Sequence, residues 1–166
     1  MAAQPRRGKW PVESRPQITL RPYAPAEFDA IFEIDRLCYP PEIAYSREDL
    51  AEYLQFPNAD CVLAIDAGKT VGFCLTAHRR EQGYVVTIDV VESHRRHGVG
   101  TLLLEECEAR MAADGVRIVN LETATDNESA IAFWKKHGYR TRTIKKHYYP
   151  GGQDAFAMRK TLEPKA

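Results

Sequence analysis

One stretch of this chain constrains its fold more than any other: an apolar strand that runs directly into a glycine-rich turn and a long helix. Tyr84 to Val91 is apolar at nearly every position, which is typical of a strand covered on both faces. Gly98 and Gly100 follow, and an amphipathic helical pattern then continues to a stop at Gly115. This order predicts an α/β domain in which the apolar strand is central.

The segments on either side of this unit predict one domain built on one sheet. Strands are predicted at residues 17–21, 61–65, 70–77, 84–91, 117–122, 139–148 and 154–162. Helices are predicted near residues 25–37, 47–54 and 99–115, and from a capping-box pattern at Thr125 to Gly138. The order predicts an α/β domain over residues 17–163, with a mixed, mostly antiparallel sheet of about seven strands and about four helices on its faces. Residues 1–16 are expected to form a disordered tail.

Composition narrows the classes of protein to which the chain can belong. Lys plus Arg and Asp plus Glu both number 23, so no field over the whole chain favours nucleic acid or an anionic membrane. Apolar runs fall short of the roughly 20 residues that a membrane span needs. The cysteines show no metal-ligand spacing, and His94, His97 and His147 are scattered. We therefore expect a cytoplasmic protein with reduced thiols, no metal and no nucleic-acid or membrane partner, while its oligomeric state stays open.

The glycine-rich turn is suited to binding phosphate. Glycines let a backbone approach a ligand closely, and the first amides of a helix, with its dipole, face negative charge. The dinucleotide fingerprint is excluded because Leu103 stands where a third small residue is needed, and the nucleotide-triphosphate loop is excluded because no Lys-Ser or Lys-Thr follows Gly100. Taken alone, Gly98 and Gly100 would fit a tight turn without a ligand equally well.

Two segments resemble the signatures of the GNAT family of N-acetyltransferases. The turn Arg95–Gly100 matches Arg or Gln, two variable residues, Gly, one variable residue, then Gly or Ala. The segment Asn127–Tyr139 is similar to the second signature, in which Asn and Ala precede an aromatic pair and a Gly-aromatic step. The order of elements over residues 18–162 also resembles that family. The resemblance implies an acyltransferase, an N-acetyltransferase that uses acetyl-CoA as its acetyl donor.

The resemblance also implies how acetyl-CoA is bound. Main-chain amides from about Arg96 to Thr101 would bind the pyrophosphate, and the main chain of Val90 and Val91 would pair with the pantetheine arm. Asn127 would reach that arm or cap its helix. The implied cofactor-binding residues are Val90, Val91, Arg95, Arg96, His97, Gly98, Val99, Gly100, Thr101, Asn127, Ala130 and Trp134.

Within the family, three pieces look most like enzymes that acetylate protein N-termini, including the bacterial ribosomal-protein alanine acetyltransferases. They are Cys38–Pro41 together with Tyr45, Leu121–Glu122, and His147–Pro150. The implied partner is therefore an amine acceptor, most simply a protein N-terminus. A small-molecule amine, a lysine side chain, or a CoA-binding sensor domain without turnover remain alternatives.

The same likeness implies the catalytic and acceptor residues. Glu122 resembles the proposed base of the ribosomal-protein enzymes, although a glutamate at a strand end can equally be a surface residue. Tyr84 resembles a tyrosine that helps to deprotonate the acceptor in some N-terminal acetyltransferases, or it serves only in packing. The implied acceptor-binding residues are Tyr39, Tyr45, Tyr148 and Tyr149.

Two departures from the family pattern affect these expectations. Trp134 stands where many members have a tyrosine that protonates the leaving thiolate, and an indole N–H is not a useful acid. We therefore expect Trp134 to be an apolar wall of the cofactor site. Thr123 and Ala124 follow Glu122 where the ribosomal-protein enzymes usually continue Val-Arg, which weakens the assignment to that subclass.

Overall fold

The computed structural model describes residues 17–163, so the tail predicted at residues 1–16 lies outside the described residues. Within that range the chain forms one seven-stranded sheet and four α-helices. The strands are β1 (Thr19–Pro22), β2 (Asp60–Asp66), β3 (Lys69–Arg79), β4 (Gln82–Val90), β5 (Ile118–Ala124), β6 (Arg140–Lys145) and β7 (Ala155–Thr161). The helices are α1 (Phe28–Cys38), α2 (Arg47–Leu54), α3 (Val99–Ala113) and α4 (Glu128–Lys136).

The sheet has the spatial order β1-β2-β3-β4-β5-β7-β6. Every neighbouring pair is antiparallel except β4 and β5, which are parallel and are joined through α3. Strands β2 and β3 form a hairpin, with its turn at Ala67 and Gly68, both in the left-handed region. The predicted fold class, an α/β domain with a mixed and mostly antiparallel sheet, is confirmed.

The parallel pair opens toward its carboxyl ends. Gln82 to Tyr84 pairs with Ile118 to Asn120, but β4 continues to Val90 and β5 to Ala124 without further ladder contacts between them. A strand edge that lacks a neighbour leaves main-chain N–H and C=O groups that need other partners. The middle of the sheet therefore contains a wedge-shaped gap bordered by strand backbone on both sides.

Each face of the sheet carries its own hydrophobic core. On one face α3 buries Leu103, Leu104 and Cys107 against the sheet. On the other face α1 and α2 bury Ile31 and Leu50, which lie against the same strands. Fully burying one such leucine or isoleucine contributes roughly 1.5–3 kcal/mol. The two cores hold β4 rigid from both sides, which is why its sequence is apolar almost throughout.

The N-terminal caps of α2 and α4 show how far local sequence patterns predict where a helix begins. Ser46 caps α2, since its Oγ accepts the Asp49 amide at 3.1 Å. The capping box predicted at Thr125 is wrong: α4 is capped by Asn127, whose Oδ1 accepts the Ala130 amide at 3.2 Å. Thr125 is instead held at the end of the sheet, because its amide donates to the carbonyl of Asp154 at 3.1 Å.

Candidate functional site

The gap between β4 and β5 is part of a cleft with a volume of about 970 Å³. One end is bounded by the turn before α3 and by α4, and the other by the α1–α2 loop (residues 39–46) and the β6–β7 loop (residues 146–154). The predicted site residues that line it are Tyr39, Tyr45, Tyr84, Val90, Arg95, Arg96, Gly98, Gly100, Thr101, Glu122, Asn127, Ala130, Trp134, Tyr148 and Tyr149. The predicted site residues Val91, His97 and Val99 do not line it.

The turn before α3 exposes the positive end of that helix. Arg96 and Gly98 both have positive φ, of 63° and 84°, and a side chain at Gly98 would meet nothing within 4 Å. The Leu102 amide makes the first intrahelical bond, to the Gly98 carbonyl at 3.0 Å. The preceding amides of a helix have no partner inside it, so they are available to an anion. Val99 points away and is buried in the core.

Gly100 lines the cleft and also allows α3 and α4 to pack closely. A Cβ built at Gly100 would lie 3.2 Å from Cε2 of Phe133 on α4, which is closer than nearly all real contacts of this kind. The absence of a side chain therefore lets the first turn of α3 and the aromatic face of α4 come together. This contact closes the end of the cleft that is bounded by the turn before α3 and by α4, which is called the cofactor end below.

The unpaired edge of β4 is contacted by side chains of the α1–α2 loop. The Tyr45 hydroxyl donates to the carbonyl of Val86 at 3.2 Å, and the Tyr39 hydroxyl donates to the carbonyl of Ile88 at 3.3 Å. Burial raises the pKa of both phenols, so they remain protonated donors. These two tyrosines replace a neighbouring strand along this part of β4.

The last residues of the β4 edge differ in their main-chain partners. The Val90 carbonyl accepts Nε of Arg95 at 2.9 Å. The Val91 amide donates to Val71 at 2.9 Å, and the Val91 carbonyl accepts the His94 amide at 2.9 Å. Of the two residues predicted to pair with pantetheine, Val90 therefore faces the cleft, whereas the N–H of Val91 is already used inside the sheet.

Glu122 lies on the opposite side of the gap, and both its oxygens have a donor. The Tyr84 hydroxyl donates to Oε2, and Nζ of Lys145 donates to Oε1 at 2.6 Å. The Glu122 side chain is 9 % exposed, and that of Lys145 is 47 % exposed. Burial, followed by the hydrogen bond to Glu122, raises the pKa of Tyr84 well above its usual value, so Tyr84 stays a neutral donor. The hydrogen bond to Glu122 raises the pKa of Lys145.

The β6–β7 loop forms the outer wall near Glu122. Tyr148 and Tyr149 pack edge to face with ring centroids 4.9 Å apart, and Nζ of Lys145 lies 5.4 Å from the centroid of Tyr148. The Tyr149 amide donates to the carbonyl of Gln153 at 3.1 Å, which closes the loop. Tyr148 remains 42 % exposed, so its ring is accessible to an incoming chain.

Trp134 on α4 is a buried wall of the cofactor end. It is 5 % exposed and packs against Phe133 and Tyr139 at centroid distances of 5.1 and 5.2 Å. The nearby Tyr139 does not supply the hydroxyl that many family members have, because its OH donates to Oε2 of Glu108 at 2.7 Å, in the same core as Trp134. The structure therefore places an apolar ring where the family pattern has an acid.

The structure brings to this site several residues that were not predicted from the sequence. Lys145 reaches Glu122 from a strand two places away in the sheet, and Asp35 and Asp89 lie buried beside the β4 edge. Phe133 packs on Gly100. An acidic residue inside a mostly apolar strand was the available signal for Asp89, and the aromatic pair of the second signature contains Phe133, whereas nothing local marked Lys145 or Asp35.

The part of the chain that the structure describes contains neither a cluster of metal ligands nor a membrane-spanning helix. Among residues 17–163 no cluster of three or more His, Cys, Asp or Glu side chains is arranged to hold a metal ion. The helices in that range are too short or too polar to span a bilayer.

Comparison with known protein families identifies the family to which this fold belongs. The model of the acetyltransferase (GNAT) family matches residues 28–139, which is more than half of the chain. The chain belongs to the GNAT family. Membership confirms two predictions: the protein is an acyltransferase of the N-acetyltransferase type, and acetyl-CoA is its acetyl donor.

Individual GNAT proteins are also similar to this chain. An N-alpha-acetyltransferase of Sulfurisphaera tokodaii is 30% identical over 145 residues, covering 80% of this chain and 86% of that protein. The ribosomal protein bS18-alanine N-acetyltransferase of Escherichia coli is 32% identical over 94 residues, or 55% of this chain and 64% of its own. The crystal structure of Ard1 from Thermoplasma volcanium has a TM-score of 0.80 at 24% identity, covering 88% of this chain and 98% of that one. The last similarity concerns the fold alone.

Proposed function

We propose that this protein transfers an acetyl group from acetyl-CoA to the α-amino group of a protein or peptide N-terminus, with Glu122 accepting the proton. One observation carries the proposal: a carboxylate with donors on both oxygens lies beside the gap where β4 and β5 separate. Relatives at about 30% identity that are named N-alpha-acetyltransferases support this class of acceptor. The proposal places the protein in the cytoplasm, where new N-termini are made.

The residues present fit acetyl-CoA along the cleft. The first-turn amides of α3 suit the pyrophosphate, and the carbonyl of Val90 faces the place of the pantetheine arm. Asn127, Ala130 and Trp134 form the wall on the α4 side. Acetyl-CoA would supply a thioester: the acceptor amine would form an amide with its carbonyl carbon, the C–S bond would break, and CoA would leave as its thiolate. We assign the whole catalytic domain to residues 17–163, which contain all of these groups.

Glu122 would accept the proton that an acceptor ammonium must lose before it can attack. The Lys145 ammonium already donates a hydrogen bond to Oε1 of Glu122, so a cation is stable beside this carboxylate. An incoming α-ammonium can replace Lys145 there because the lysine side chain is about half exposed. Tyr84 orients the carboxylate from Oε2; its raised pKa makes it a donor to Glu122 rather than a base.

The four tyrosines at the mouth would hold the acceptor backbone. Tyr39 and Tyr45 are fixed against β4, whereas Tyr148 and Tyr149 form the opposite lip. Phenol rings offer apolar contact and a hydroxyl at little entropic cost, which suits an extended peptide whose side chains vary. We therefore propose that these residues bind main chain and leave selectivity to the first side chain of the acceptor.

The proposal is tested by offering three classes of amine with acetyl-CoA and reading the products by mass spectrometry. The classes are peptides with a free α-amine and no lysine, N-terminally blocked peptides with an internal lysine, and small amines. We expect acetylation of the first class at a kcat/KM at least about tenfold above the others. Preferential acetylation of blocked peptides or small amines would assign a different acceptor, and CoA binding without any thiol release would indicate a sensor domain.

A further inference from the structure

Two aspartates are buried beside the acceptor side of the cleft, and the chemistry described so far uses neither. Asp35 on α1 is 0 % exposed, and Asp89 on β4 is 2 % exposed. Burying an ionised carboxylate is expensive unless it is paired and hydrogen-bonded, and burying two carboxylates side by side is more so. The pair therefore needs a specific arrangement to exist in this fold.

Each carboxyl group has one oxygen accounted for and one left over. Asp35 Oδ2 accepts the Tyr45 amide at 2.8 Å, and Asp89 Oδ1 accepts the Thr87 hydroxyl at 2.8 Å. Asp35 Oδ1 and Asp89 Oδ2 are both buried without a donor among the described residues. The two side chains are nevertheless within hydrogen-bonding reach of each other, and the Tyr39 hydroxyl is also within reach of Asp89. Two carboxylate oxygens form such a bond only if a hydrogen lies between them.

We infer that Asp35 and Asp89 share one proton, and that this proton fixes the α1–α2 loop against the edge of β4 in the position that binds the acceptor. The loop begins one residue after α1 ends, and the Tyr45 amide bonds directly to Asp35. Tyr39 and Tyr45 then reach the β4 carbonyls. Asp35 and Asp89 act through these tyrosines, so they are positioning residues for the proposed reaction.

The surroundings of the pair favour retention of that proton at neutral pH. The titratable groups around it are the thiols of Cys38, Cys61 and Cys74 and the phenols of Tyr39 and Tyr45. Burial raises the pKa of Cys38 to about 11, so this neighbour is neutral. From the turn before α3, Arg95 donates to the Cys38 thiol and the Val90 carbonyl. Burial raises the pKa of both aspartates, and their mutual repulsion opposes the doubly ionised form.

The shared proton makes stability depend on pH in a direction opposite to that of an ordinary ion-paired aspartate. In the unfolded chain each aspartate has a pKa of about 3.9, whereas the folded pair holds its proton at higher pH. Between these limits the folded state binds more protons than the unfolded state. Stability from this source is therefore fully present below about pH 4 and falls as pH rises, until the folded pair releases the proton.

The first experiment detects the proton directly. Infrared spectra of the full chain at neutral pH, with isotope-labelled aspartate, should show the band of a protonated carboxyl group. Asp35→Asn and Asp89→Asn should each lack that band, while Asp114→Asn, at an exposed position (62 % side-chain exposure), should keep it. Absence of the band in the parent, or its survival in both variants, would overturn the shared proton.

The second experiment measures Tm as a function of pH. An asparagine amide can donate to the remaining carboxylate, so each single Asn variant should fold and lose the parent's decline in Tm with rising pH, whereas Asp114→Asn should retain it. Unchanged pH profiles in both buried variants would contradict the inference. This readout does not require enzymatic activity, so it decides the inference even if the proposed acceptor is wrong.

The positioning role rests on the proposed function and needs a kinetic test. Asp35→Leu removes the bond to Asp89 and to the Tyr45 amide, and we expect the KM for the peptide to rise about tenfold or more while the Kd for acetyl-CoA stays within about twofold. Asp35→Asn should restore most of the loss. An unchanged peptide KM in folded Asp35→Leu would refute positioning. If the parent itself acetylates no peptide, the proposed function has failed, and the infrared and Tm results still decide the proton.

Discussion

At the scale of single residues, Glu122 on β5 binds side chains from two other strands of the sheet. Tyr84 contacts it from β4 and Lys145 from β6, across the intervening β7. A charge-assisted bond such as that from Lys145 is stronger than a neutral one but is weakened by solvent at a half-exposed lysine. The carboxylate is therefore oriented firmly by the buried tyrosine and held loosely by the lysine, which leaves one oxygen exchangeable.

Glu122→Gln should lower turnover by about 10² to 10⁴ at neutral pH with little change in acetyl-CoA affinity, because an amide cannot take a proton but keeps the same shape. Single-turnover kinetics and a pH–rate profile measure this, with isothermal titration for the cofactor. Tyr84→Phe is the matched control and should lose less, since it removes only the orienting bond. A Gln variant with the parental rate and pH profile would move the proton acceptor to solvent.

Trp134 should act as a wall rather than as an acid. Trp134→Phe keeps an aromatic ring in a pocket shared with Phe133 and Tyr139, so its turnover should stay within about tenfold of the parent. Trp134→Ala should weaken acetyl-CoA binding and also cost about 3–5 kcal/mol of stability, because the ring belongs to the core. A loss beyond about a hundredfold in Trp134→Phe, at unchanged acetyl-CoA affinity, would show that the indole takes part in the reaction.

At the scale of elements, the decisive arrangement is the start of α3 beside the gap between β4 and β5. The dipole and unpaired amides of a helix start attract an anion only if the backbone there is accessible. Gly98 provides that access through its left-handed conformation and open surroundings, whereas Gly100 lets the first turn of α3 pack closely on Phe133. The two glycines therefore serve the same end of the site for different physical reasons.

Gly98→Asp should raise the Kd for acetyl-CoA by at least about tenfold, or roughly 1.4 kcal/mol, since it places a negative charge where the pyrophosphate is proposed to bind. Gly98→Asn is the matched control: it has the same size and the same positive φ of 84° to satisfy, without the charge. Binding is measured by calorimetry, with circular dichroism to verify folding. Equal affinities in the two variants would place the pyrophosphate elsewhere.

At the scale of the whole molecule, the site lies where two halves of the sheet diverge above a core that they share. One half contains β1 to β4 and the other contains β5 to β7, and they share a ladder only from Gln82 to Tyr84. A ligand in the gap would contact both halves and would bind only the folded state. Such binding stabilises by mass action.

Acetyl-CoA at about 100 times its Kd should therefore stabilise the fold by roughly 2.7 kcal/mol. For a domain of this size, that corresponds to a rise in Tm of about 5–10 °C by differential scanning fluorimetry. Adenine dinucleotides at the same concentration should have little effect, because Leu103 excludes the packing that their fingerprint requires. Equal shifts with both ligands would contradict the assigned cofactor site.

The sequence by itself determined the order of the elements and the fold class, and it predicted the end of the cleft at which we propose that acetyl-CoA binds. These depend on patterns within short segments: the apolar run of β4, the glycines after it, and the amphipathic period of α3. Local patterns of this kind report burial and turn geometry directly. The seven strands and four helices described for residues 17–163 follow from them, with ends displaced by a few residues.

Only the tertiary structure decided which polar groups meet. Lys145 reaches Glu122 across an intervening strand, Asp35 meets Asp89 between a helix and the sheet, and the Thr125 amide donates to the Asp154 carbonyl at the end of the sheet. No periodicity in the sequence encodes these contacts, since each joins segments far apart in the chain. Their partners are set by how the sheet opens and by which face each helix buries, and these are properties of the folded molecule.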